Sequence, residues 1–133
     1  MPTMKTKLSF FILLCAFSFT GCFTTQETDT SDLLVNCWTH SHEEDAQDGK
    51  QIFRPCDFKS FGPSHYRNKL VLKANQNAEY LELSPIDAHT MQPGKWVYDA
   101  KSKILRIMNA AGTVVSTFTV ISIESDKLLL QPA

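Results

Sequence analysis

Short segments in which apolar and polar residues alternate recur from about residue 33 to the end of the chain. Successive side chains of a β-strand point to opposite faces, so apolar residues two positions apart mark the face that is buried. No segment shows the stripe of an amphipathic helix over ten or more residues. The pattern therefore predicts an all-β domain, with core-facing pairs at Leu70 and Leu72, Leu81 and Leu83, Trp96 and Tyr98, Leu105 and Ile107, and Phe118 and Val120.

The turn residues between these segments divide them into individual strands. Residues 75–77, 100–102 and 124–126 are typical of hairpin turns, and Pro93-Gly94 and Gly112 indicate further connections. Residues 55–68 lack a strand pattern. The predicted strands are 33–42, 51–54, 69–73, 78–83, 95–99, 104–109, 113–123 and 127–131. Closure into a small antiparallel up-and-down barrel of about eight strands would protect the edges of such a meander.

The N-terminus has the three parts of a secretory signal peptide. Lys5 and Lys7 precede an apolar run at residues 8–19, and the run ends in the stretch Phe19 to Cys22. As a helix the run would extend about 18 Å, against roughly 30 Å of bilayer hydrocarbon. We predict a cleaved leader over residues 1–21.

Two processing routes remain open at Cys22. The stretch Thr20-Gly21-Cys22 is similar to the Leu-Ala-Gly-Cys site of bacterial lipoproteins, in which the cysteine receives fatty acyl chains such as palmitate. Alternatively, an ordinary signal peptidase cuts nearby and Cys22 is incidental. We favour lipidation because a polar stretch, residues 23–31, follows the cysteine directly, so residues 22–32 are predicted to comprise the lipidated cysteine and a flexible tether. Phe23 rather than Asp comes next, which favours the outer membrane of a Gram-negative cell envelope.

The remaining residues, 33–133, suffice for one domain. Lys5 and Lys7 leave with the leader, so 11 of the 13 Lys and Arg residues stay, against 14 Asp and Glu. This mild acidity disfavours nucleic acid or an anionic lipid surface as a main partner.

Cys37 and Cys56 are the cysteines left after the leader and the lipidation site are set aside. An even pair in an oxidising compartment predicts a disulfide. The alternatives are two buried thiols, or a metal site that includes a histidine. No paired Cys-x-x-Cys spacing favours the metal site.

A family resemblance follows from the motifs of the C-terminal half. The stretch GKWVYDAKSKILRIMNAAGTVVSTFTVISIESDKLLLQ, Gly94 to Gln131, resembles bacterial lipocalin-like lipoproteins, with their Gly-x-Trp-x-Tyr and Leu-x-Ile segments. LLVNC with Trp38 is similar to their opening Leu-x-Gly-x-Trp, although Asn36 replaces the glycine. WTHSHEED, FRP and GPSHYR look like an uncharacterised branch of that group. The resemblance implies an eight-stranded up-and-down barrel and names no ligand.

A polar cluster follows the first predicted strand. His40 and His42 would share one strand face, and with Glu43 or Asp45 they could bind zinc or copper. An HxH pair alone is weak evidence, so we favour an ordinary strand that runs into an exposed acidic turn.

Arg54 and Arg67 form a second candidate group. With Glu43 or Glu44 they could make an ion-pair network at the barrel mouth, or bind the carboxylate of a ligand. Structural pairing is the more common role.

Aromatic residues form a third group. Trp38, Trp96 and Tyr98 could line a ligand cavity, although core packing is commoner for the tryptophans. Phe53, Phe58, Phe61 and Tyr66 surround the irregular segment and could plug the barrel or rim a pocket.

Catalysis has little sequence support, since the chain has neither a Gly-x-Ser-x-Gly elbow nor a glycine-rich phosphate loop. We expect a membrane-anchored binding protein without enzymatic activity or cofactor, whose domain binds a small apolar or amphipathic ligand. The alternative is a protein-interaction module, such as an inhibitor of an envelope lysozyme or protease. A hollow barrel would favour the first hypothesis and a filled barrel the second.

Overall fold

The computed structural model describes residues 29–83 and 89–133. The predicted leader, Cys22 and most of the predicted tether lie outside the described residues. The described chain forms an eight-stranded, closed antiparallel barrel, as the alternating pattern predicts. Neighbouring strands alternate in direction all the way around it.

One short helix precedes the barrel strands. Helix α1 spans Thr30–Leu34, and the side chain of Asp29 caps it by accepting a hydrogen bond from the Ser31 backbone N–H. A 3₁₀ helix, His42–Glu44, follows the first strand. The strands are β1 Asn36–His40, β2 Gln51–Pro55, β3 Lys69–Leu72, β4 Asn77–Leu83, β5 His89–Asp99, β6 Ile104–Asn109, β7 Val114–Ile123 and β8 Leu128–Pro132.

The order of strands around the barrel is β1-β2-β8-β7-β6-β5-β4-β3. Strands β3 to β8 follow the chain as a meander, whereas β1 lies between β2 and β3. The chain must therefore cross the outer face of β1 to reach β3. Residues 56–68, named here the crossover segment, make that passage.

The barrel interior is filled by side chains. Trp38, Phe53, Leu105 and Ile107 have no solvent exposure, and Trp96 is 5 % exposed. Each such side chain stabilises the fold by roughly 2 kcal/mol. The buried barrel residues are Trp38, Phe53, Leu70, Leu72, Ala78, Tyr80, Trp96, Leu105, Ile107, Phe118, Val120, Leu128 and Leu130.

Helix α1 is part of this core, a feature that the sequence pattern did not predict. Leu34 is fully buried, and its carbonyl oxygen accepts a 2.9 Å hydrogen bond from the Trp38 indole N–H. The predicted first strand, 33–42, was therefore too long at both ends: it starts at Asn36 and ends at His40. Residues 30–32, assigned to the tether, are already helical.

Two predictions within the meander were wrong in detail. The Pro93-Gly94 pair lies inside β5 and does not form a connection. A Cβ atom on Gly94 would stand 2.1 Å from the Met108 carbonyl oxygen, so the glycine permits close approach of β6. On β4, the core face is that of Ala78 and Tyr80, because the sheet register turns Leu81 outward.

Candidate functional site

The crossover segment is tied to the barrel at its start by a disulfide. Cys37 on β1 and Cys56 are bonded, as predicted, with their Cα atoms 5.4 Å apart. The backbone N–H of Cys56 donates to the carbonyl oxygen of Cys37 at 3.0 Å. Thr39, which is 7 % exposed, donates its hydroxyl to the Cys56 sulfur at 3.2 Å. The segment therefore starts flat against the outer face of β1.

An arginine–glutamate pair joins β2 to the 3₁₀ helix that follows β1. The Arg54 guanidinium donates two hydrogen bonds to the Glu44 carboxylate, at 3.0 and 2.7 Å. A third donor of Arg54 reaches the Asp126 carbonyl oxygen at 3.0 Å. The planar fork of arginine suits such bidentate pairing. Because Phe53 points into the barrel, Arg54 lies on the outer face of β2.

A second pair fixes the end of the crossover segment. Arg67 donates to both carboxylate oxygens of Glu43, at 3.0 and 2.5 Å, and to the His40 carbonyl oxygen at 2.8 Å. It also reaches the Gly62 carbonyl oxygen at 3.2 Å. Neighbouring glutamates of one 3₁₀ helix therefore bind one arginine that precedes the crossover segment, Arg54, and one near its C-terminal end, Arg67.

The paired arginines make both carboxylates unusually acidic. The hydrogen bonds from Arg67 lower the pKa of Glu43 to about 2, and those from Arg54 lower the pKa of Glu44 to about 2. Both pairs are therefore ionised over the whole pH range in which proteins are usually studied. The predicted Arg–carboxylate network exists, and it joins the 3₁₀ helix after β1 to β2, to the crossover segment and, through Arg54, to the β7–β8 turn at Asp126.

The aromatic residues of the crossover segment rest on these cations. The Arg54 guanidinium lies 4.4 Å from the centre of the Phe58 ring, and that of Arg67 lies 5.2 Å from the centre of the Phe61 ring. Such contacts hold exposed rings in place. Phe58 nevertheless remains 43 % exposed. Around it the segment presents a surface made of residues 57–60 and 62–65.

The other predicted ligand-binding residues lie in the barrel interior. Trp38 is fully buried beneath α1, and the Trp96 indole N–H donates to the Lys73 carbonyl oxygen at 2.8 Å. Tyr98 packs against the same core, and burial raises its pKa. These three residues do not share a site with Arg54 and Arg67, which lie outside the barrel wall.

The histidine cluster is partly assembled. His40 Nε2 lies 2.7 Å from a carboxylate oxygen of Asp45, and the His40 ring stacks on Phe53 at 5.1 Å. His42 lies 3.8 Å from Glu43, whose carboxylate also binds Arg67. Within residues 29–83 and 89–133, no group of three or more His, Cys, Asp or Glu side chains is placed to bind a metal ion.

Three clefts lie at the surface of the described chain. One of about 390 Å³ lies beside Val114, Pro132 and Ala133, and a second of about 310 Å³ is lined by Pro63, Ser64 and His65 on the crossover segment. A third, of about 230 Å³, lies between Tyr66, Tyr80 and Val115. None of these three is lined by Trp38 or Trp96.

Sequence reasoning found the members of this site but not their arrangement. The two arginines and two glutamates were recognised, whereas the position of β1 between β2 and β3, which brings Arg67 to Glu43, leaves no local signal. The buried contact of Thr39 with the disulfide was missed for the same reason.

The fold and the site define an eight-stranded antiparallel barrel with a crossover segment on its outer wall. A disulfide holds the start of this segment, and two arginine–glutamate pairs lie beside its two ends. Comparisons with protein-family models, curated proteins and solved structures find no match to this chain. Among the described helices, none has the length and apolar character needed to cross a bilayer.

Proposed function

We propose that this chain is a lipid-anchored binding protein of the cell envelope that acts through its outer surface, as a protein-interaction module without enzymatic activity. The observation that carries the proposal is the filled barrel. Trp38, Phe53 and Ile107 lie in the barrel interior with no solvent exposure. A small barrel can either hold a ligand or fill itself with side chains, and this interior favours the second case.

The crossover segment supports a protein partner. It exposes an aromatic ring at Phe58, and its ends are fixed by the disulfide and by Arg67. A surface that is rigid before binding loses little conformational entropy on association, which favours affinity. Loops held by a rigid scaffold commonly carry function.

The anchor rests on the N-terminal sequence pattern. Acylation of Cys22 would hold the domain at the outer membrane, since several acyl chains on one residue anchor a protein firmly. Replacing Cys22 with Ser should abolish incorporation of labelled fatty acid and release the chain from the membrane fraction. Labelling that persists in Cys22→Ser would contradict lipidation at this residue.

Site-specific photo-crosslinking tests the interaction surface. A photoreactive phenylalanine analogue replaces Phe58 in one variant and Val115 in the control; the two side chains are 43 % and 42 % exposed. In the cell that makes the protein, we expect a discrete crosslinked protein from position 58 and none from position 115. Equal adducts from both positions, or none from position 58, would contradict the proposal.

The partner, once captured, is tested in purified form. If it is an envelope lysozyme or protease, the wild-type chain should inhibit it, and Phe58→Ala should inhibit it more weakly. Native mass spectrometry of the gently purified protein distinguishes the protein-interaction hypothesis from the hypothesis that the barrel carries a small ligand. A co-purifying small molecule that the Phe58→Ala variant retains would favour a carrier of apolar ligands instead.

A further inference from the structure

The basic residues of the barrel are unevenly paired. In the part of the chain that the structure describes, Arg54, Arg67 and four of the eight lysines have an acidic partner within 4.0 Å. The basic residues without such a partner are Lys69, Lys95, Lys101, Lys103 and Arg106. All but Lys69 lie within one hairpin, β5–β6.

These four residues, named here the basic hairpin, share the outer side of the barrel. Trp96 and Leu105 point inward, so Lys95 and Arg106 point outward, and Arg106 pairs directly with Val97. Lys101 and Lys103 are exposed in the turn that joins the strands. At about 3.3 Å per residue the basic hairpin is roughly 15 Å long.

Two acidic residues, Asp99 and Asp29, lie near the basic hairpin, so its four positive charges are partly offset. The pKa of Asp99 is lowered by hydrogen bonds from Ser102 and by the charge of Arg106, and the charge of Asp29 adds to burial in raising the pKa of Tyr98 on β5. Asp99 is the acidic residue between positions 95 and 106, and it accepts hydrogen bonds from the backbone N–H groups of Lys101 and Ser102 in the turn. Ile121, 42 % exposed, lies beside the turn, since the backbone N–H of its neighbour Val120 donates to the Lys103 carbonyl oxygen. The surface therefore combines unpaired positive charge with an exposed apolar side chain.

The chain enters the described structure on this same side. Burial raises the pKa of Tyr98, and the charge of Asp29, the first described residue, raises it further, which places Asp29 near β5. Helix α1 contacts β7, the strand next to β6. Cys22 precedes Asp29 by seven residues, which can span at most about 25 Å. A lipid anchor at Cys22 would keep the basic hairpin close to the bilayer.

The crossover segment lies on the opposite side of the barrel. Three steps around the ring separate β2 from β6, and three separate β1 from β5. A barrel resting on its β5–β6 side would therefore turn the crossover segment away from the membrane. This is the orientation that a surface for soluble partners requires.

From the placement of Lys95, Lys101, Lys103 and Arg106 beside the chain entry, we propose that the basic hairpin binds anionic phospholipid headgroups of the membrane that anchors the chain. The contact holds the barrel with β5–β6 on the bilayer and the crossover segment exposed. The inference rests on the proposed lipid anchor. Basic side chains close to an anionic surface each favour contact by a factor of about five.

Fluorescence quenching in vesicles tests this orientation. The full protein, purified from membranes, is labelled with an environment-sensitive dye in the Ala100→Cys variant or in the Ser60→Cys variant; both positions are exposed. It is incorporated into vesicles that contain brominated lipid as quencher. One set is phosphatidylcholine alone, and the other contains phosphatidylglycerol in addition.

With phosphatidylglycerol we expect strong quenching at position 100 and weak quenching at position 60. In phosphatidylcholine, or in high salt, the difference should disappear because the attraction is electrostatic. Charge substitutions are then added to each labelled protein. Changing Lys95, Lys101, Lys103 and Arg106 to Gln should remove the difference in quenching between positions 100 and 60. The control changes Lys50, Lys59, Lys69 and Lys127 to Gln. It has the same net charge as the first set of substitutions, and its difference in quenching between positions 100 and 60 should remain.

The outcomes separate the two proposals. Association with vesicles of both lipid compositions, but with equal quenching at positions 100 and 60, would support the anchor and overturn the basic-hairpin inference. Association with phosphatidylglycerol vesicles alone, quenched at position 100, would support the inference and contradict the anchor. Failure to associate with either composition would overturn both.

Discussion

Arg54 on β2 and Glu44 in the 3₁₀ helix are joined by two parallel hydrogen bonds, at 3.0 and 2.7 Å, across ten residues of chain. The pair closes the β1–β2 connection over the outer face of the barrel. Arg54 also supports the exposed Phe58 ring at 4.4 Å. The Arg54 guanidinium therefore links the 3₁₀ helix His42–Glu44 to the surface that we propose for partner binding.

This pair should contribute to acid sensitivity. The pKa of Glu44 falls from its ordinary value of 4.5 to about 2 on folding, so its stabilising effect is complete above pH 4.5 and is lost as the pH falls to about 2. Glu44→Gln should lower the free energy of unfolding at neutral pH by up to about 1 kcal/mol, the usual range for a solvent-accessible pair. Urea unfolding at a series of pH values measures both effects.

Glu82→Gln is the matched control, since Glu82 is exposed and has no ion pair among the described residues. Between pH 4.5 and 2, wild type and the control should lose more stability than Glu44→Gln. Parallel curves for all three proteins would show that the Glu44 pair does not couple folding to pH.

The disulfide should be a main stabilising link of the crossover segment. It closes a loop with a sequence separation of 19. Replacing Cys37 and Cys56 together with Ser should lower the free energy of unfolding by roughly 3 kcal/mol, because the unfolded chain regains the entropy of an open loop. Thermal unfolding with and without reductant checks this. Wild type in reductant should resemble the double variant, whereas the double variant itself should be insensitive to reductant.

Gly94 should tolerate no side chain. In Gly94→Ala the added carbon would meet the Met108 carbonyl oxygen at 2.1 Å and the Tyr80 ring at 3.1 Å. Separation of β5 from β6 should cost roughly 3 kcal/mol of stability, as overpacking of a tight core does. Gly62→Ala is the control, because no atom lies within 4 Å of its Cβ position. Equal chemical denaturation midpoints for the two variants would contradict the packing explanation.

The histidine pair should not bind zinc with useful affinity. His40 already contacts Asp45 at 2.7 Å, and the carboxylate of Glu43 beside His42 binds Arg67. A metal ion that binds the folded state more tightly than the unfolded state raises the melting temperature, and the increase grows with the logarithm of its concentration relative to its Kd. We expect excess zinc to leave the melting temperature of wild type and of His42→Ala unchanged. An increase in wild type that His42→Ala abolishes would establish a metal site.

Much of the barrel could be predicted from local pattern. The strand pairs Leu70 with Leu72, and Leu105 with Ile107, lie on the core face as the alternation predicts. A two-residue period is a property of the strand itself, so it is visible wherever one face is buried. Leu81 was misassigned because β4 carries apolar residues on both faces, and the register of the sheet decides which face is inside.

The site depended on contacts that local sequence does not encode. Glu43 and Arg67 were recognised as potential partners, but their contact across 24 residues of chain follows from β1 lying between β2 and β3. The basic hairpin shows the same limit. A mildly acidic composition disfavoured an anionic surface, whereas the fold pairs the other basic residues of the described chain, apart from Lys69, and leaves those of β5–β6 together.

By itself, the sequence determined the all-β class, the approximate strand positions and the cysteine pair, because alternation and residue type act over a few neighbouring residues. Tertiary structure decided that the barrel is filled, that α1 closes against Trp38, and that the crossover segment and the basic hairpin lie on opposite walls. Those features depend on which distant strands become neighbours. Packing of the whole chain selects that order, since it minimises the exposed apolar surface and the unpaired strand edges together.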